Sequence, residues 1–555
     1  MSITKSWGKR AFSGSLLAGA LGSAATLYLS FNLHAYSWTW AFITLIPLLA
    51  IAERSSSRRR ACGIGLLAGF CFNFIELFWI TNSIAGFTNL PQAVVTIVMG
   101  LLALYMALYL ALFTGLWHYL RNLPALKSPW GNIISALTAA AAWILFEDLR
   151  GSFLGGFPWH PLGLTQIDNQ LLNWLLPWGG VRLLSGLIVL GNIGLYLSAH
   201  ALLKKRRRNA GLYAFSLLGP ILILALLAGK NSAAKTALQE PSQTLNYTTS
   251  TKIVVVQPNI PQKEKWRPEN RDKIIEKMIT MTRKGLKYKP DLIVWPESAL
   301  PLLLEKEMAI SNRLQELVRT EQTSLMLGGP RYIEEPQKNH PEVTQKRLYN
   351  SIFLFTPDNQ RQIYNKIKLV PYGEFTPLAK FFPFISKIVP GLDYSSGAKI
   401  RNFSLAKGDN RDSPQKDPLK IAPSVCFEGV FPAFTARFFG AGANLLINLT
   451  NDAWFGDSPG PRQHLLNIRL RALENRCYIV RCANTGISAI INPQGEIEQQ
   501  LPLNQEGLIE ATITPCRQAT FFARHPDLPT IVAGFVILLP LLIIFFRHHQ
   551  LKRNG

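Results

Sequence analysis

Ile253-Val254-Val255-Val256 is a run of β-branched residues at which the character of the sequence changes. Beyond it, short strand-like runs alternate with amphipathic stretches, and this alternation predicts a layered α/β domain. Residues 251–515 are long enough to enclose a full hydrophobic core. Further strand-like runs lie at 292–295, 324–329, 351–356, 419–426, 443–449, 478–482, 487–491 and 508–513, and the amphipathic stretches include 269–288 and 306–320.

The chain before residue 230 consists largely of long apolar runs, and one more such run lies near the C-terminus. Of the 555 residues, 48% are hydrophobic, which favours a membrane protein. Each run is close to the ~20 residues that cross the ~30 Å hydrocarbon core of a bilayer. The sequence therefore predicts a polytopic α-helical membrane domain of about eight transmembrane helices. The candidate spans are 12–31, 36–53, 61–84, 91–118, 132–147, 176–202, 211–229 and 528–546.

These two kinds of sequence predict the domain organisation. Residues 1–229 form the transmembrane domain with about seven spans, and 230–250 form a linker with a Pro-, Gln- and Ser-rich stretch. Residues 251–515 form the α/β domain, and 516–555 contain a second linker, the final transmembrane helix and a basic tail. A cleaved signal peptide is the alternative interpretation of the first span.

Clusters of Lys and Arg occur in every second connection between the apolar runs, whereas the connections around 32–35 and 82–90 contain neither residue type. Because basic loops stay in the cytoplasm, both termini are predicted to be cytoplasmic and the α/β domain extracytoplasmic. The net charge of +24 thus reflects topology, and we expect no nucleic-acid partner. The clusters are Lys5, Lys9 and Arg10; Arg54, Arg58, Arg59 and Arg60; Arg121 and Lys127; Lys204, Lys205, Arg206, Arg207 and Arg208; and Arg547, Lys552 and Arg553.

Two features of the apolar part carry functional hints. Glu76 lies inside a predicted span, where a carboxylate must face a partner or a wet cavity. The outer loop Gly156-Phe157-Pro158-Trp159 is rich in aromatic and turn-forming residues and is predicted to lie at the level of the lipid headgroups. An ordinary interfacial aromatic belt is the alternative explanation of this loop.

Three polar residues stand at the ends of apolar strands and complement one another chemically: Glu297, Lys366 and Cys426. A cysteine is a strong nucleophile only as a thiolate, so it needs a carboxylate to take its proton and a cation to stabilise negative charge. Glu297 is the candidate base. Lys366, with backbone N–H groups such as that of Phe427, is the candidate stabiliser of an oxyanion. Taken singly, each residue has a plainer interpretation as a packed or solvated side chain.

The contexts of these residues resemble the carbon–nitrogen hydrolase, or nitrilase, superfamily, whose members use a Glu-Lys-Cys triad in this chain order. The resemblance is closer to its membrane branch, the apolipoprotein N-acyltransferases, and covers nearly the whole chain. The matching segments are Gln257 to Gln262 with Trp266, Trp295-Pro296-Glu297, Lys366 to Phe375 with Gly373-Glu374, Cys426-Phe427-Glu428, Asn448 to Asp457, Gln463-His464 and Arg469 to Glu474.

The resemblance implies an α-β-β-α sandwich on a helical membrane domain in a bacterial inner membrane, with the catalytic domain in the periplasm. It also implies a two-stage reaction. Cys426 takes an acyl chain from a phospholipid, typically phosphatidylethanolamine, as a thioester. The acyl group then passes to the α-amino group of the diacylglyceryl-cysteine at an apolipoprotein N-terminus, and Glu297 shuttles protons in both stages.

The same resemblance implies supporting residues around the triad. Glu374 and Glu428 support it, and Trp266 with Glu374 belongs to mobile loops that admit the lipid substrates. Asn350 and Trp159 also fit the family pattern, and Trp159 and Trp266 are candidates for lipid binding. The family often has a tyrosine where this chain has Phe427, so a hydroxyl there is not essential. A purely structural role is the alternative for these supporting residues.

Two rival functions remain open. A membrane-tethered amidase or nitrilase-type hydrolase would use the same triad but pass the acyl group to water, and a non-catalytic lipid-binding or transport protein would not need Cys426. We expect no metal and no cofactor, because the nine histidines show no paired metal spacing and no glycine-rich phosphate loop follows a strand. A monomer is the default expectation.

Four of the six cysteines, Cys426, Cys477, Cys482 and Cys516, fall in the part predicted to lie outside, where thiols can be oxidised. Cys426 must remain free for the mechanism to work. The sequence leaves open whether Cys477, Cys482 and Cys516 pair or stay buried as thiols.

Overall fold

The computed structural model describes residues 3–32, 37–88, 90–230, 250–337, 340–377, 393–405, 418–516 and 518–553. The predicted linker 230–250 therefore lies almost wholly outside the described residues. The described residues before 231 form helices joined mostly by short turns, with a longer connection that contains three 3₁₀ turns at 151–175. Their bounds are α1 (Ile3–Asn32), α2 (Ser37–Trp40), α3 (Ile46–Arg54), α4 (Arg58–Glu76), α5 (Ile80–Phe87), α6 (Gln92–Asn122), α7 (Pro129–Arg150), α8 (Leu176–Leu203), α9 (Arg207–Tyr213) and α10 (Gly219–Lys230), with a π-helical turn at Ala214–Leu218 between the last two.

Several of these helices have the length and composition of membrane spans. Four pass both criteria among the described residues, Gln92–Asn122, Pro129–Arg150, Asn173–Leu203 and Arg207–Leu227, and the pair α4 and α5 is a fifth candidate bent by 61°. They correspond to the predicted spans 91–118, 132–147, 176–202, 211–229 and 61–84. Near the C-terminus, Leu528–Pro540 is a shorter apolar helix. The chain is thus a membrane protein with several apolar helices in its N-terminal half, and the total of about eight spans stays a prediction.

The predicted span 36–53 is not one helix. It divides into α2 and the nine-residue α3, with a turn between them. Pro47 lies at the start of α3, where its missing N–H is harmless, but a proline cannot continue a helix from upstream. At about 1.5 Å per residue, α3 extends only about 14 Å, well short of a bilayer core.

The described part of the chain from residue 250 contains two six-stranded sheets. Their strand orders are β12-β1-β2-β3-β4-β5 and β11-β10-β9-β8-β7-β6. In each sheet three parallel strands are flanked by antiparallel ones. The strands are β1 (Thr251–Gln257), β2 (Leu292–Val294), β3 (Ser324–Gln337), β4 (His340–Phe355), β5 (Arg361–Asn365), β6 (Phe403–Leu405), β7 (Leu419–Val425), β8 (Leu445–Thr450), β9 (Ile479–Ala483), β10 (Ser488–Ile491), β11 (Ile497–Leu501) and β12 (Gly507–Ile513).

The two sheets pack face to face with helices outside them, which gives the four layers of an α-β-β-α sandwich. Alternation along β1 shows why: Ile253 and Val255 belong to the core between the sheets, whereas Val254 and Val256 pack against helices. Such strands are buried on both faces and therefore read as continuous apolar runs. The helices of this domain are α11 (Gln262–Lys265), α12 (Arg271–Leu286), α13 (Met308–Thr320), α14 (Pro432–Gly440) and α15 (Gly460–Asn475), followed by α16 (Phe521–Arg524) and α17 (Leu528–Arg553).

The sandwich rests on the membrane helices through α15, which contacts α8. The backbone N–H of Val181 in α8 donates to Glu474 Oε1 at 2.9 Å, and Arg469 Nη2 lies 2.7 Å from Asp168 Oδ1. A single apolar core cluster also includes Leu77 and Met99 of the membrane helices together with residues of both sheets. The ends of the strands that carry the polar residues therefore lie close to the membrane domain.

Candidate active site

The three residues predicted from strand ends do lie at strand ends in space. Glu297 follows β2, Lys366 directly follows β5, and Cys426 directly follows β7. Cys426 begins a short 3₁₀ turn and has a left-handed backbone with φ of 50°. Glu297 passes so close to β3 that a Cβ on Gly328 would lie 2.7 Å from the Glu297 Cα, so glycine is required there.

A buried cluster of charges joins Glu297 to Lys366. The Lys366 ammonium donates to the Glu374 carboxylate at 2.8 Å and lies 3.9 Å from Glu297 Oε1. Asn350 Nδ2 donates to both carboxylates, at 2.7 Å to Glu297 and 2.8 Å to Glu374. The strand register brings Asn350 here, because the Lys366 N–H donates to the Asn350 carbonyl at 2.8 Å. One ammonium is thus held between two carboxylates with an amide as spacer.

Glu428 connects the Cys426 turn to the Lys366 loop. Its Oε1 accepts from the N–H of Ile367 at 2.6 Å and from the Tyr364 hydroxyl at 2.8 Å. Its Oε2 accepts from the N–H of Val425 at 2.9 Å. Burial raises the pKa of Glu428 to about 6, against the lowering effect of these hydrogen bonds. The position of Lys366 relative to Cys426 therefore depends on a side chain two residues after the cysteine.

The electrostatics favour a protonated thiol and a charged lysine in the resting site. Burial raises the pKa of the Cys426 thiol far above its usual range, and the charge of Glu297 adds to this against the effect of Lys366. Burial alone would lower the pKa of Lys366, but Glu374 and Glu297 outweigh it and raise the value. Burial also raises the pKa of Glu297, partly offset by Lys366. A carboxylate with a raised pKa is better suited to accept a thiol proton near neutrality.

A pocket opens over this cluster. It is lined by Glu297, Glu374 and Asn350, and by Trp266, whose side chain is 47% exposed. The exposure of Trp266 agrees with a residue that meets substrate. The remaining lining residues are Gln262, Ser298, Gly373, Tyr394, Asn451 and Trp454.

Trp159, by contrast, is buried. It is only 2% exposed, and its indole N–H donates to Gln463 Oε1 at 2.9 Å. Its ring stacks on Phe157 and on Phe427, the residue after the candidate nucleophile. In this structure Trp159 lies between the membrane helices and the Cys426 turn rather than on an open lipid-facing surface, and its role in lipid binding stays a prediction.

Glu76 also lies at this junction and has partners. Its Oε2 accepts from Gln463 Nε2 at 3.0 Å, and its Oε1 accepts from Asn32. His160 Nε2 lies 3.5 Å from the same carboxylate. Gln463 Oε1 in turn accepts from both Trp79 and Trp159 at 2.9 Å. The buried carboxylate predicted to need a partner therefore joins the membrane helices to α15.

A second buried network behind Cys426 was not assigned any role from the sequence. The Thr450 hydroxyl lies 3.2 Å from Cys426 Sγ and 2.9 Å from Asp452 Oδ1. Arg481 Nη2 donates to Asp452 Oδ2 at 2.6 Å, and His464 Nδ1 lies 3.0 Å from Asp452 Oδ1. Most of these residues lie within matching segments, but only the fold shows that they converge on the cysteine.

The same network bears on metal binding. Ligand atoms of Cys426, Asp452 and His464 lie within 4.8 Å of one another. However, the Arg481 guanidinium occupies one carboxylate oxygen, and both ring nitrogens of His464 face other groups, since Nε2 lies 3.3 Å from the Cys426 carbonyl. These donors are engaged in hydrogen bonds and fit a metal poorly. The expected absence of a metal stays a prediction.

Lys265 is another residue that the sequence did not single out. It is fully buried, and its ammonium donates to the Glu297 carbonyl at 3.3 Å. Burial lowers the pKa of Lys265 to about 8, although the charge of Glu297 opposes the shift. It lies next to Trp266 and so couples the loop over the pocket to the candidate base.

The described cysteines of the α/β part include one disulfide pair and two free thiols, one of which is Cys426. Cys477 and Cys516 form a disulfide, with their Cα atoms 5.1 Å apart. Cys426 and Cys482 are free thiols, and Cys482 is buried, with its thiol near the carbonyls of Val256 and Val294. The structure thereby resolves the pairing that the sequence left open.

Two family models match the two parts of the chain. Residues 252–520 match the model of the carbon–nitrogen hydrolase family, and residues 23–194 match that of the apolipoprotein N-acyltransferase N-terminal domain. Among solved structures, the chain is similar to a mutant of the amidase from Nesterenkonia sp., with a TM-score of 0.34 and 16% identity over 50% of this chain and 93% of the amidase. It is also similar to Saccharomyces cerevisiae Nit3, a member of the nitrilase superfamily, with a TM-score of 0.34 and 18% identity over 48% of this chain and 90% of Nit3.

Relatives named apolipoprotein N-acyltransferase match almost end to end. The protein from Geobacter metallireducens is 31% identical over 92% of this chain and 92% of its own. The protein from Azotobacter vinelandii is 33% identical over 95% and 94%, and that from Rhodopseudomonas palustris is 30% identical over 98% and 96%. Both the helical and the α/β parts are covered. The chain therefore belongs to the apolipoprotein N-acyltransferase family and is an enzyme of the membrane.

Proposed function

We propose that this protein transfers a fatty acyl group from a phospholipid to the N-terminal diacylglyceryl-cysteine of apolipoproteins through a thioester on Cys426. The observation that carries the proposal is the convergence of Glu297, Lys366 and Cys426 at strand ends that face the membrane helices. A thiol, a base and a fixed cation are the groups that acyl transfer through a thioester needs.

In the first stage, Glu297 accepts the thiol proton as Cys426 Sγ attacks the ester carbonyl. The raised pKa of the thiol means that no free thiolate builds up, so proton transfer accompanies attack. Lys366 stabilises the oxyanion, and Glu374 and Asn350 hold the lysine in place. Glu297 then returns the proton to the departing glycerol oxygen, and a lysophospholipid leaves.

In the second stage, the α-amino group of the lipoprotein attacks the thioester. Glu297 accepts a proton from the amine, the same oxyanion site is used, and the sulfur leaves and is protonated again. The product carries an amide bond, and the enzyme returns to its first state. Phosphatidylethanolamine is the proposed acyl donor, and the enzyme is proposed to act as a monomer.

The supporting residues take roles that their contacts suggest. Glu428 holds the Lys366 loop against the Cys426 turn, and Phe427 contributes its backbone N–H to the oxyanion site while its ring packs on Trp159. Trp266, half-exposed over the pocket, is proposed to contact acyl chains. Trp159 is proposed to affect lipid binding indirectly, because its ring packs on Phe427 and holds that residue in place.

We further propose that both termini are cytoplasmic and that the catalytic domain is periplasmic in a bacterial inner membrane. The alternation of basic clusters supports this orientation. The Cys477–Cys516 disulfide also supports it, because disulfides persist in oxidising compartments. The proposed domains are residues 1–229, the linker 230–250, the catalytic domain 251–515, and the C-terminal linker, helix and tail 516–555, with about eight spans in total.

Intact-mass measurement on the purified protein tests the proposal. Wild type and Cys426→Ser are incubated with phosphatidylethanolamine in detergent under conditions that preserve thioesters. We expect a hydroxylamine-labile acyl adduct on the wild type alone, which disappears when a diacylated lipopeptide is added and its N-acyl product forms.

Two other outcomes separate the rivals. An adduct that water clears as fast as the lipopeptide does indicates a hydrolase. A well-folded wild type that forms no adduct with defined lipid, and a Cys426→Ala variant that keeps its cellular function, indicate a non-catalytic protein.

A further inference from the structure

Thr450, the last residue of β8, is fully buried, and its hydroxyl faces two acceptors. Oγ1 lies 3.2 Å from Cys426 Sγ and 2.9 Å from Asp452 Oδ1. A threonine hydroxyl carries one proton and can donate to only one of them at a time. The direction of this single proton therefore depends on the charge of the sulfur.

Asp452 is held as a carboxylate. Its two oxygens contact the Arg481 guanidinium at 2.6 Å and His464 at 3.0 Å, and the carboxylate is 1% exposed. Burial alone would raise the pKa of Asp452, but Arg481 and His464 outweigh it and lower the pKa below its usual range. An ionised carboxylate only accepts hydrogen bonds. With a neutral thiol, the Thr450 proton therefore goes to Asp452, the charged acceptor.

An anionic sulfur changes this balance. The titratable and charged groups around Cys426 are Glu297 and Lys366 across the pocket, Glu374 behind Lys366, Glu428 on its own turn, and Asp452, His464 and Arg481 behind it. Among the side chains that the structure describes, Thr450 makes the one hydrogen bond to Sγ. A thiolate that departs or attacks here accordingly has one hydroxyl within reach.

We propose that Thr450 is a catalytic hydroxyl that turns its proton from Asp452 to Sγ whenever the sulfur carries negative charge. The inference rests on the proposed thioester chemistry. In acylation the thiol proton goes to Glu297 while Thr450 turns its O–H to the sulfur, the S–C bond forms, the ester C–O bond breaks and Glu297 protonates the glycerol oxygen. In deacylation the N–C bond forms and the C–S bond breaks. The departing thiolate first accepts a hydrogen bond from the Thr450 hydroxyl, and Glu297 then gives it the proton taken from the amine. Thr450 keeps its proton throughout.

Thr450→Val and Thr450→Ser form a matched pair for the test. Valine keeps the shape and removes the hydroxyl, whereas serine keeps the hydroxyl and loses a methyl group. Two quantities are measured for each: the rate of alkylation of Cys426 by iodoacetamide as a function of pH, followed by peptide mass, and the single-turnover rate of acylation from phosphatidylethanolamine in detergent. Thermal unfolding reports whether the variants fold.

We expect Thr450→Val to slow alkylation at each pH below the thiol pKa and to slow acylation about tenfold to a hundredfold, as when one hydrogen bond to a charged group is removed. Thr450→Ser should recover most of both. A purely structural role predicts instead an unchanged alkylation rate and a loss of acylation for serine as large as that for valine, and this result would overturn the inference.

The alkylation arm is independent of lipid chemistry. If wild type forms no acyl adduct, the proposed function fails, but the difference in alkylation rate between Thr450→Val and Thr450→Ser at the same pH still shows whether the hydroxyl stabilises the thiolate. If wild type is acylated normally and Thr450→Val matches it in both measurements, only the role of Thr450 is wrong.

Discussion

Cys426 adopts a backbone conformation that a residue with a side chain rarely takes, with φ of 50°. A left-handed residue of this kind costs about 1–2 kcal/mol, which the surrounding fold must offset. The hydrogen bonds of Glu428 to the N–H of Val425 on one side and of Ile367 on the other hold the turn in place. The turn presents Sγ to Glu297 and Lys366 instead of continuing the strand, so the left-handed residue sets the position of the thiol.

Sequence reasoning could find Glu297 and Cys426 because each follows an apolar strand, and Lys366 because it stands in a distinctive local context. It could not find Lys265, which lies in the polar string Gln262-Lys263-Glu264-Lys265 and looks solvated. Lysine is almost never fully buried unless paired, and only the fold places this one under Glu297. Thr450 was not singled out for a similar reason, since a threonine at the end of a buried strand usually has only a structural role in the sheet.

The acid limb of the pH–rate profile tests the charge balance at Glu297. Glu297 must be deprotonated to accept the thiol proton, so kcat/KM should fall as the pH drops through its pKa, which burial raises above 4.5. Lys265 lowers that pKa, and it is charged below its own pKa of about 8. Lys265→Met should therefore move the acid limb to higher pH, measured as the pH dependence of single-turnover acylation.

Lys263→Met is the matched control, because Lys263 is an exposed neighbour on the same short helix. It should leave the acid limb where it is in wild type. An acid limb that is the same in Lys265→Met as in Lys263→Met would mean that Glu297 does not sense the Lys265 charge.

At the scale of elements, the strands that the sequence missed share a position. The strands that were not predicted are β5, β6 and β11, and all three lie at the edges of their sheets. Edge strands have one side without a partner strand and carry more polar residues, as in Ile497-Glu498-Gln499-Gln500-Leu501, so they lack the apolar run of a central strand. The breaks in the predicted spans 36–53 and 61–84 were missed because mean hydropathy does not register a turn.

The break between α4 and α5 has a structural purpose. It places Trp79 and Glu76 against α15, where Gln463 accepts from two indole N–H groups and donates to the Glu76 carboxylate. One amide thus satisfies three buried groups of the membrane domain. His464, the next residue of α15, lies behind the candidate nucleophile, so the position of this helix affects both the domain junction and the site.

Replacing that amide tests the junction. Gln463→Leu leaves Trp79 and Trp159 without their acceptor, and each unsatisfied buried group costs about 1–3 kcal/mol. We expect a midpoint of thermal unfolding several degrees lower in detergent and slower acylation of Cys426. Gln499→Leu, at an exposed position of β11, is the control and should match wild type in both measurements. Equal behaviour of the two variants would show that the junction does not depend on Gln463.

At the scale of the whole molecule, one chain combines a helical membrane domain with a carbon–nitrogen hydrolase domain. The sandwich matches the carbon–nitrogen hydrolase family, and α15 contacts α8 of the membrane domain. The sequence could predict this division, because mean hydropathy and strand-like alternation differ on either side of Ile253. The sequence could not predict how the two parts contact each other. Those contacts are made by α15 with α8 and by the aromatic loop around Trp159 with Phe427.

The Cys477–Cys516 disulfide ties the end of α15 to the segment that leads into the final helix, across 39 residues of sequence. Closing a loop of that length is expected to stabilise the folded chain by roughly 3–4 kcal/mol. A Cys477→Ala, Cys516→Ala double variant should therefore unfold at a lower temperature, whereas Cys62→Ala, which removes a free thiol from α4, should change the midpoint much less. Wild type purified with this disulfide intact should show the same loss on reduction. If the double variant and wild type unfold together and no disulfide is found by mass, the bond does not form in the cell, and the support it gives to a periplasmic catalytic domain is removed.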